Sequence, residues 1–577
     1  MSLSRKGTAS PRLFSKMMLC KLSCVALAVA GVSQAMAAPV VVTNAQGYGF
    51  DEKRQIVQFQ TLVFDDASGK VLARGNADLA KEYAEAKIID AKGQALIPGL
   101  IDGHGHVLNL GQNLSQVELR DTNSEAHAVA KVTAFAKQQP QAQWILGRGW
   151  NQVLWPSKQF PTLALIDEAV KDRPVWLSRV DGHAGWANSK ALQLAGINKD
   201  SIDPPGGQIQ RDKQGNPTGV LIDNAMLLIE KQIPKPNAAE IAAALNAAYQ
   251  HLLALGITST HDAGVDEANL SVYQQMASEH KIPLRIYAML SATDANLATR
   301  LAAGPIDDPQ DILDVRSVKI YGDGALGSRG AALLSAYDDK PGEMGLLLTQ
   351  PDALTAVMKL TLDSGFQANV HAIGDRANRL VLDRFEVLQT PAARAKSRNR
   401  VEHAQVIAPK DLARFARLQV LPSMQPTHAT SDKNMAGDRL GVARLRGAYA
   451  WRTLVDMGNP VVCGSDYPVE LANPFHGLHA AVTRQDHNNQ PEGGWLPEQK
   501  LSLVEALRCF TTDAAYGAYQ EQAMGSLSQG QWADFILLDQ DIFTVDPKQI
   551  WQTTVLQTYV GGKLVAEAKP AAKTQLD

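Results

Sequence analysis

The sequence has few cysteines, almost no net charge and no long apolar run beyond its first residues. Four cysteines in 577 residues cannot form the disulfide framework that stabilises small secreted domains. A formal net charge of -3 provides neither a basic surface for nucleic acid nor an acidic tail. No later segment reaches the roughly 20 uninterrupted apolar residues of a membrane-spanning helix. We therefore expect no nucleic-acid partner and no membrane span in the body of the chain.

Residues 1–37 have the composition of a secretory signal peptide. Basic residues precede the apolar run 22–32, and the sequence AMA at 35–37 has the small-x-small form of a cleavage site. The interpretation is export to the periplasm or outside the cell, with cleavage near Ala37 or Ala38. The alternative is an N-terminus that anchors the chain to a membrane.

Cleavage at that point would remove two of the four cysteines, Cys20 and Cys24. Cys463 and Cys509 would remain, and we expect each to pack as a small buried thiol rather than to form a bridge. The stability of the mature chain must then come from its core, for which a hydrophobic content of 45% is sufficient.

The order of β-like and helical segments predicts the fold class. Short β-like segments occupy 38–95 and 522–569, which predicts a small β-sandwich module assembled from both chain ends. Between them, in 96–521, β-like runs alternate with helical stretches, the pattern of a parallel α/β barrel. Eight runs can be placed, at 95–101, 256–261, 284–290, 315–321, 367–371, 400–403, 419–424 and 460–464. We expect an α/β protein, a (β/α)8 TIM barrel with a large insertion after its first strand.

The insertion, about 110–240, is too long for an ordinary loop between a strand and a helix. It contains five tryptophans, together with proline and glycine turns around 203–207. One interpretation is a subdomain that covers the substrate. A peripheral insertion with a structural role is the alternative.

Potential metal ligands follow the predicted barrel strands. His104 and His106 point to the same side of an extended segment, and imidazole is a common ligand of zinc and similar metals. Barrel enzymes place their sites at the carboxyl ends of their strands. Four further candidates lie at such ends: Lys319, His371, His403 and Asp466.

Six sequence blocks resemble the amidohydrolase superfamily, and several of them resemble its YtcJ-like branch, which includes N-substituted formamide deformylases. They are GLIDGHGH at 99–106, KIYGDGALGSR at 319–329, NVHAIGD at 369–375, VEHAQ at 401–405, GSDYP at 464–468, and GSL with GQWAD within 525–534. The resemblance extends over essentially the whole mature chain.

The resemblance implies two zinc-like divalent metals bridged by a carboxylated Lys319. The implied ligands are His104, His106 and Asp466 for the more buried metal, and His371 and His403 for the second. An unmodified lysine is cationic and a poor ligand. Without carboxylation, a single metal would remain on His104, His106, His371 and Asp466, with His403 polarising the substrate.

The function implied is hydrolysis of a C–N bond in an amide, N-acyl or N-substituted formamide-like small molecule. Hydroxide would attack the carbonyl, and Asp466 would carry the proton to the leaving amine. Two alternatives are a ligand-binding or regulatory protein without turnover and a deaminase-like hydrolase with one metal. The chain could also form a homodimer.

Other residues have more than one interpretation. His183 could contact the substrate or its transition-state oxygen as a catalytic residue, or have a structural role in a loop. Trp150 could line the pocket or pack the insertion. Arg329 could bind an acidic substrate group or form a salt bridge. His261 is expected to be a core residue, and His428 matches no motif and is left unassigned.

Overall fold

The computed structural model describes residues 39–568. The predicted signal peptide lies outside these residues, as do Cys20 and Cys24. Within them, no helix is both long enough and apolar enough to cross a bilayer.

Strands form a barrel, an inserted sheet and two sheets near the chain ends. In chain order they are β1 (Pro39–Thr43), β2 (Gln46–Phe50), β3 (Ile56–Phe59), β4 (Thr61–Asp65), β5 (Val71–Gly75), β6 (Lys87–Asp90), β7 (Ala95–Pro98), β8 (Leu100–Gly105), β9 (Val117–Glu118), β10 (Ile145–Trp150), β11 (Val175–Arg179), β12 (Ala184–Ala187), β13 (Gly207–Arg211), β14 (Pro217–Asp223), β15 (Ile257–Val265), β16 (Arg285–Ser291), β17 (Leu313–Tyr321), β18 (Gln367–Ala372), β19 (Arg400–His403), β20 (Leu421–Met424), β21 (Val462–Cys463), β22 (Phe535–Leu538), β23 (Val555–Val560) and β24 (Lys563–Glu567).

Helices connect the barrel strands and cover the inserted sheet. In chain order they are α1 (Val107–Asn113), α2 (Glu125–Gln138), α3 (Leu163–Ala169), α4 (Ser189–Leu194), α5 (Leu227–Glu230), α6 (Ala238–Ala254), α7 (Glu267–Ser278), α8 (Leu297–Ala302), α9 (Pro351–Asp363), α10 (Asp375–Leu388), α11 (Pro391–Ser397), α12 (Pro409–Leu418), α13 (Pro426–Asp432), α14 (Ala436–Arg444), α15 (Trp451–Asp456), α16 (Pro474–Thr483), α17 (Leu503–Cys509) and α18 (Thr512–Gly517). Short 3-10 turns occur at Ala77–Tyr83, Gln152–Leu154, Leu445–Gly447, Pro497–Gln499 and Pro547–Gln552.

Eight parallel strands form the barrel, in the order β8, β15, β16, β17, β18, β19, β20 and β21. They are buried along nearly their whole length, as expected where helices cover one face and side chains fill the other. β21 meets β8 through loop residues: the Asp466 N–H donates to the His104 carbonyl (2.7 Å), and the His106 N–H donates to the Tyr467 carbonyl (2.8 Å). The predicted barrel is confirmed.

The first predicted strand, 95–101, is wrong as a single element. Its first half is β7, in a sheet outside the barrel, and its second half begins β8. Proline has no N–H to donate to a sheet, and β7 ends at Pro98. The following Gly99 lies so close to Thr258 that an added Cβ would be 2.2 Å from its Oγ1. Both halves are fully buried, so hydrophobicity does not reveal the break.

Strands from both chain ends build two packed sheets. One has the order β24, β23, β22, β7, β2, β3, and the other has the order β5, β4, β1, β6. Side chains alternate across the six-stranded sheet: Leu96 and Leu537 pack with the four-stranded sheet, whereas Ile97 and Ile536 join the barrel core. This is the β-sandwich expected from the chain ends. The boundaries 38–95 and 522–569 stay a prediction.

The insertion between α1 and α6 has a sheet of its own, in the order β13, β14, β12, β11, β10, β9. Trp150, Trp155 and Trp186 belong to one buried cluster in it. The ring of Trp150 lies 6.3 Å from that of Trp155 and 6.4 Å from that of Trp186. The tryptophans thus form the core of the insertion, because aromatic rings bury a large apolar area.

Cys463 and Cys509 form a disulfide, so the expectation of two separate thiols is wrong. Both residues are buried; Cys463 ends β21 and Cys509 ends α17. The bond connects the last barrel strand to a helix that follows it, across a sequence separation of 46. Nothing in that spacing indicates that the two Cα atoms lie 5.0 Å apart.

Candidate metal centre

A cavity of about 1510 Å³ opens at the carboxyl ends of the barrel strands. Five of the predicted metal ligands line it, and His104 lies fully buried beside them. The five are His106, Lys319, His371, His403 and Asp466. The fold therefore brings the predicted ligands to one end of the barrel, the end where barrel enzymes place their sites.

The carboxylate of Asp466 is at the centre of this group. Its Oδ1 lies 3.1 Å from His106 Nε2 and 3.6 Å from His104 Nε2, and its Oδ2 lies 3.6 Å from His428 Nε2. Burial would raise the pKa of Asp466, but the histidines around it hold that pKa well below its usual range. Two sets of ligand atoms lie within 4.8 Å of one another: His104, His106 and Asp466, and His403, His428 and Asp466.

Hydrogen bonds on the outer sides of two rings determine which nitrogen faces Asp466. His106 Nδ1 donates to the Ala263 carbonyl (2.8 Å), and His104 Nδ1 donates to Glu402 Oε2 (2.6 Å). The Nε2 of each neutral ring then presents a lone pair. Because a lone pair repels a carboxylate oxygen, the 3.1 Å separation of His106 Nε2 and Asp466 Oδ1 fits a shared cation, either a metal ion or a proton on Nε2. The donor set therefore fits a divalent metal, with outer hydrogen bonds that orient its ligands.

Lys319 is buried beside the same histidine. Its Nζ donates to His104 Nε2 at 2.9 Å. Burial lowers the pKa of Lys319, while the charges of Asp466 and Glu402 act in the opposite direction; the net change is downward. Lys319 thus lies among the ligands but has no negative charge of its own.

His403 and His371 contact each other and have different neighbours. His403 Nδ1 donates to Gln425 Oε1 (2.8 Å), so its lone pair is on Nε2. The ring of His371 lies 4.5 Å from that of His403, and His371 Nε2 has no hydrogen-bond partner. Asp323 Oδ1 lies 3.6 Å from that nitrogen and accepts a backbone N–H. Burial raises the pKa of Asp323 to about 7.

His428 was left unassigned from the sequence, and the structure brings it into this group. Its Nε2 faces Asp466 without a hydrogen-bond partner, and its ring stacks on His403 with centroids 5.9 Å apart. His428 is in α13, four positions after the end of β20 at Met424. Reasoning from strand ends missed it for that reason. The signal in the sequence was a histidine shortly after a strand end, two positions after Pro426.

His183 reaches the cavity from the insertion. Its Nδ1 donates to Asp223 Oδ1 (2.7 Å), and its ring lies 5.3 Å from that of His371. Burial lowers the pKa of His183, whereas the hydrogen bond and the negative charge of Asp223 raise it. The second effect is larger, so the pKa of His183 is above its usual value. Gly324 and Gly330 leave space for Asp223, because a Cβ at either would lie 2.5 Å or less from its Oδ2. A histidine and an aspartate of the insertion therefore face the barrel site.

The other two predicted substrate contacts lie elsewhere. Trp150 is fully buried, and its Nε1 donates to the Leu177 carbonyl (2.7 Å), so it packs the insertion and does not line the cavity. Arg329 donates through Nε and Nη2 to Asp339 at 3.2 and 3.0 Å, the salt bridge that was its alternative. His261 is fully buried inside the barrel, as expected for a core residue.

Potential metal ligands around a cavity at the carboxyl end of a (β/α)8 barrel are the arrangement expected of a metal-dependent enzyme. The profile of the Amidohydrolase family matches residues 87–566. The chain belongs to that family. The family uses a divalent metal, and the histidine and aspartate groups described above could bind one.

Individual relatives agree with this assignment. The chain is 32% identical over 545 residues to "Protein LONG AFTER FAR-RED 3" of Arabidopsis thaliana, with 91% of each chain covered. It is 31% identical over 509 residues to "Putative amidohydrolase YtcJ" of Bacillus subtilis (strain 168), covering 86% of this chain and 94% of the relative. An uncharacterized metal-dependent hydrolase from Pyrococcus horikoshii OT3 matches with a TM-score of 0.72 and 26% identity, covering 88% of this chain and 99% of that one. The resemblance to the YtcJ-like branch is confirmed.

Replacing Glu402 by Gln removes the negative charge that orients His104 and keeps the side-chain shape. We expect the affinity for a divalent metal to fall roughly 10- to 100-fold, as measured by chelator competition on the purified protein. Glu470→Gln is the matched control, because Glu470 lines the same cavity and is bonded to Ser431 instead of a histidine. Equal metal affinity in Glu402→Gln and wild type would contradict this role.

Proposed function

We propose that this chain is an exported amidohydrolase that hydrolyses a C–N bond in an amide, N-acyl or N-substituted formamide-like substrate. The observation that carries the proposal is the buried carboxylate of Asp466, held against Nε2 of His106 and of His104 beside a large cavity. A metal ion bound between these groups would balance the negative charge, and the cavity admits a small molecule. Membership of the amidohydrolase family supports an amide as the bond that is broken.

The proposed cofactor is a pair of zinc or similar divalent ions. The ligands would be His104, His106 and Asp466 for one ion and His371 and His403 for the other. Lys319 would bridge the ions after carboxylation, in which its neutral Nζ bonds to the carbon of CO2 and a proton is released. The lowered pKa of Lys319 supports this step, because it increases the fraction of neutral amine.

Residues of both the barrel and the insertion would take part in the reaction. Metal ions at this site would supply a hydroxide nucleophile at neutral pH and polarise the scissile carbonyl. Asp466 would accept the proton released by the attacking water and deliver it to the leaving nitrogen. His183, oriented by Asp223, would donate a hydrogen bond to the substrate oxygen on which negative charge develops.

Two features support export. The first residues resemble a signal peptide, with a basic lead, an apolar run and a small-x-small site. The disulfide between Cys463 and Cys509 is of a kind that persists in oxidising compartments and is rare in the cytosol. The proposed location is the periplasm or the medium.

The number of metals tests the bridging role of Lys319. We expect about two equivalents of zinc-like metal per chain in the natively purified protein, measured by elemental mass spectrometry, and about one in Lys319→Met, because the anionic bridge is lost. Lys433→Met is the control, since Lys433 lines the cavity but pairs with Asp486. One equivalent in wild type would favour a single-metal site. No metal, even after reconstitution, would refute the hydrolase proposal.

Asp466→Asn tests proton transfer. The amide keeps an oxygen toward the metal but cannot carry a proton, so we expect kcat on an N-acyl substrate to fall roughly 10²- to 10⁴-fold. The assay is run at saturating metal, and bound metal is measured in the same sample. Turnover close to wild type with metal still bound would show that another group moves the proton.

His183→Gln tests the contact from the insertion. We expect kcat to fall roughly 10²- to 10³-fold with little change in KM, since a bond to developing charge acts on the transition state. His476→Gln, at another histidine that lines the cavity, is expected to leave kcat near wild type. A loss confined to KM would mean that His183 binds the substrate without stabilising the transition state.

A further inference from the structure

Arg148 extends from β10 of the insertion to the wall of the cavity. Its guanidinium donates to two backbone carbonyls, through Nε to Pro468 (3.4 Å) and through Nη2 to Val180 (2.9 Å). Pro468 is two positions after Asp466, so the guanidinium lies next to the segment that carries the central carboxylate. Five N–H groups belong to a guanidinium, and these bonds use only two of them.

Each carboxylate near Arg148 already has a different partner. Glu118 accepts from the side chain of Arg120 at 2.6 Å. Asp181 accepts from Arg179 at 2.5 Å. Asp466 is surrounded by histidines, as described above. In the part of the chain that the structure describes, no carboxylate oxygen lies within 4.0 Å of the Arg148 guanidinium.

The guanidinium is thus a half-buried charge without a counter-charge. Burial lowers the pKa of Arg148 to about 10, against the opposite influence of Asp466 and Asp181, so the group remains cationic at neutral pH. An unpaired charge away from bulk water is unfavourable. Arg120, Arg179 and Lys433 in the same cavity wall each pair with a carboxylate, and Arg148 does not.

A glycine lies beside this charge. Gly182 faces it, and a Cβ there would lie 3.3 Å from both Nη1 and Nη2 of Arg148. Gly182 has a φ of +73°, a conformation in which glycine is favoured. A side chain at this position would crowd Nη1 and Nη2, whereas with glycine the guanidinium forms part of the cavity wall.

We propose that Arg148 binds a carboxylate of the substrate, so that the amides hydrolysed carry a negative charge close to the scissile bond. A planar guanidinium with free N–H groups matches a carboxylate, to which it can donate two parallel hydrogen bonds. Compounds of this class are N-acylated amino acids, with the acyl C–N bond at the metal centre and the carboxylate on Arg148. The inference rests on the proposed function, because it places the amide beside Asp466.

The test compares an N-acetylated amino acid with its uncharged carboxamide, which has the same shape. We expect wild type to favour the charged compound in kcat/KM. Arg148→Met is expected to lower kcat/KM for the charged compound roughly 10- to 100-fold, mainly through KM, and to leave the carboxamide near its wild-type value. Arg148→Lys, which keeps the charge but not the fork, is expected to be intermediate.

The carboxamide also controls for structural damage, since Arg148 contacts the Pro468 carbonyl. An equal loss for both compounds in Arg148→Met would mean that Arg148 only supports that segment, and would overturn the proposal. Absence of any preference in wild type would overturn it as well, while the proposed amide hydrolysis would stand.

Binding gives a readout that does not depend on turnover. Calorimetry with the metal-loaded protein is expected to detect the charged compound or its amino acid product, with weaker binding in Arg148→Met. If neither amide is hydrolysed but this binding difference is found, the anion site stands and the proposed function fails. If the charged compound neither binds nor reacts, the anion site is refuted.

Discussion

Burial of the Asp466 carboxylate is the constraint on which both the barrel and its site depend. The backbone of this residue bonds to His104 across the junction of the last and first strands, and its side chain gathers the ring nitrogens of the site. The preceding residue, Ser465, donates its hydroxyl to Asp102 at 2.6 Å across the same junction. A buried negative charge is unfavourable unless it is bonded or paired. Since its partners come from both sides of the junction, closing the barrel and assembling the site are one event.

The barrel and the insertion contribute different kinds of residue to the cavity. The barrel strands contribute the candidate ligands, and hydrogen bonds to Glu402, the Ala263 carbonyl and Gln425 set the orientation of three rings. The insertion contributes His183 and Arg148, which face the same space from the other side. Substitutions in the insertion can therefore alter substrate binding while the metal ligands stay the same. Variation of this kind is common where one fold supports many functions.

The site residues that could be predicted from the sequence are those that directly follow a barrel strand. Parallel strands end at one edge, so residues at their ends, such as His371, were expected near His104. Glu402 acts on His104 across 298 positions, and no local pattern reports such a contact. His428 follows a turn, where the strand rule no longer applies.

The parts of the fold that the sequence did not reveal depend on packing. The break after Pro98 was hidden because both halves of the segment are equally apolar. The pairing of Cys463 with Cys509 depends on how α17 packs. Trp150 and Arg329 illustrate that residue type alone does not distinguish a cavity wall from a core or a surface ion pair.

The sheet that combines both chain ends has a consequence for protein synthesis. β7 pairs with β22, and its Pro98 lies opposite Phe535, 437 positions later (535 minus 98). At roughly 5 to 20 residues per second, a ribosome needs about 20 to 90 s to make the intervening chain. During that time β2 can pair with β7 on one side, but the other edge of β7 has no partner strand, and such an edge is prone to aggregation. The N-terminal strands can therefore complete their sheet only after the C-terminal strand has been made.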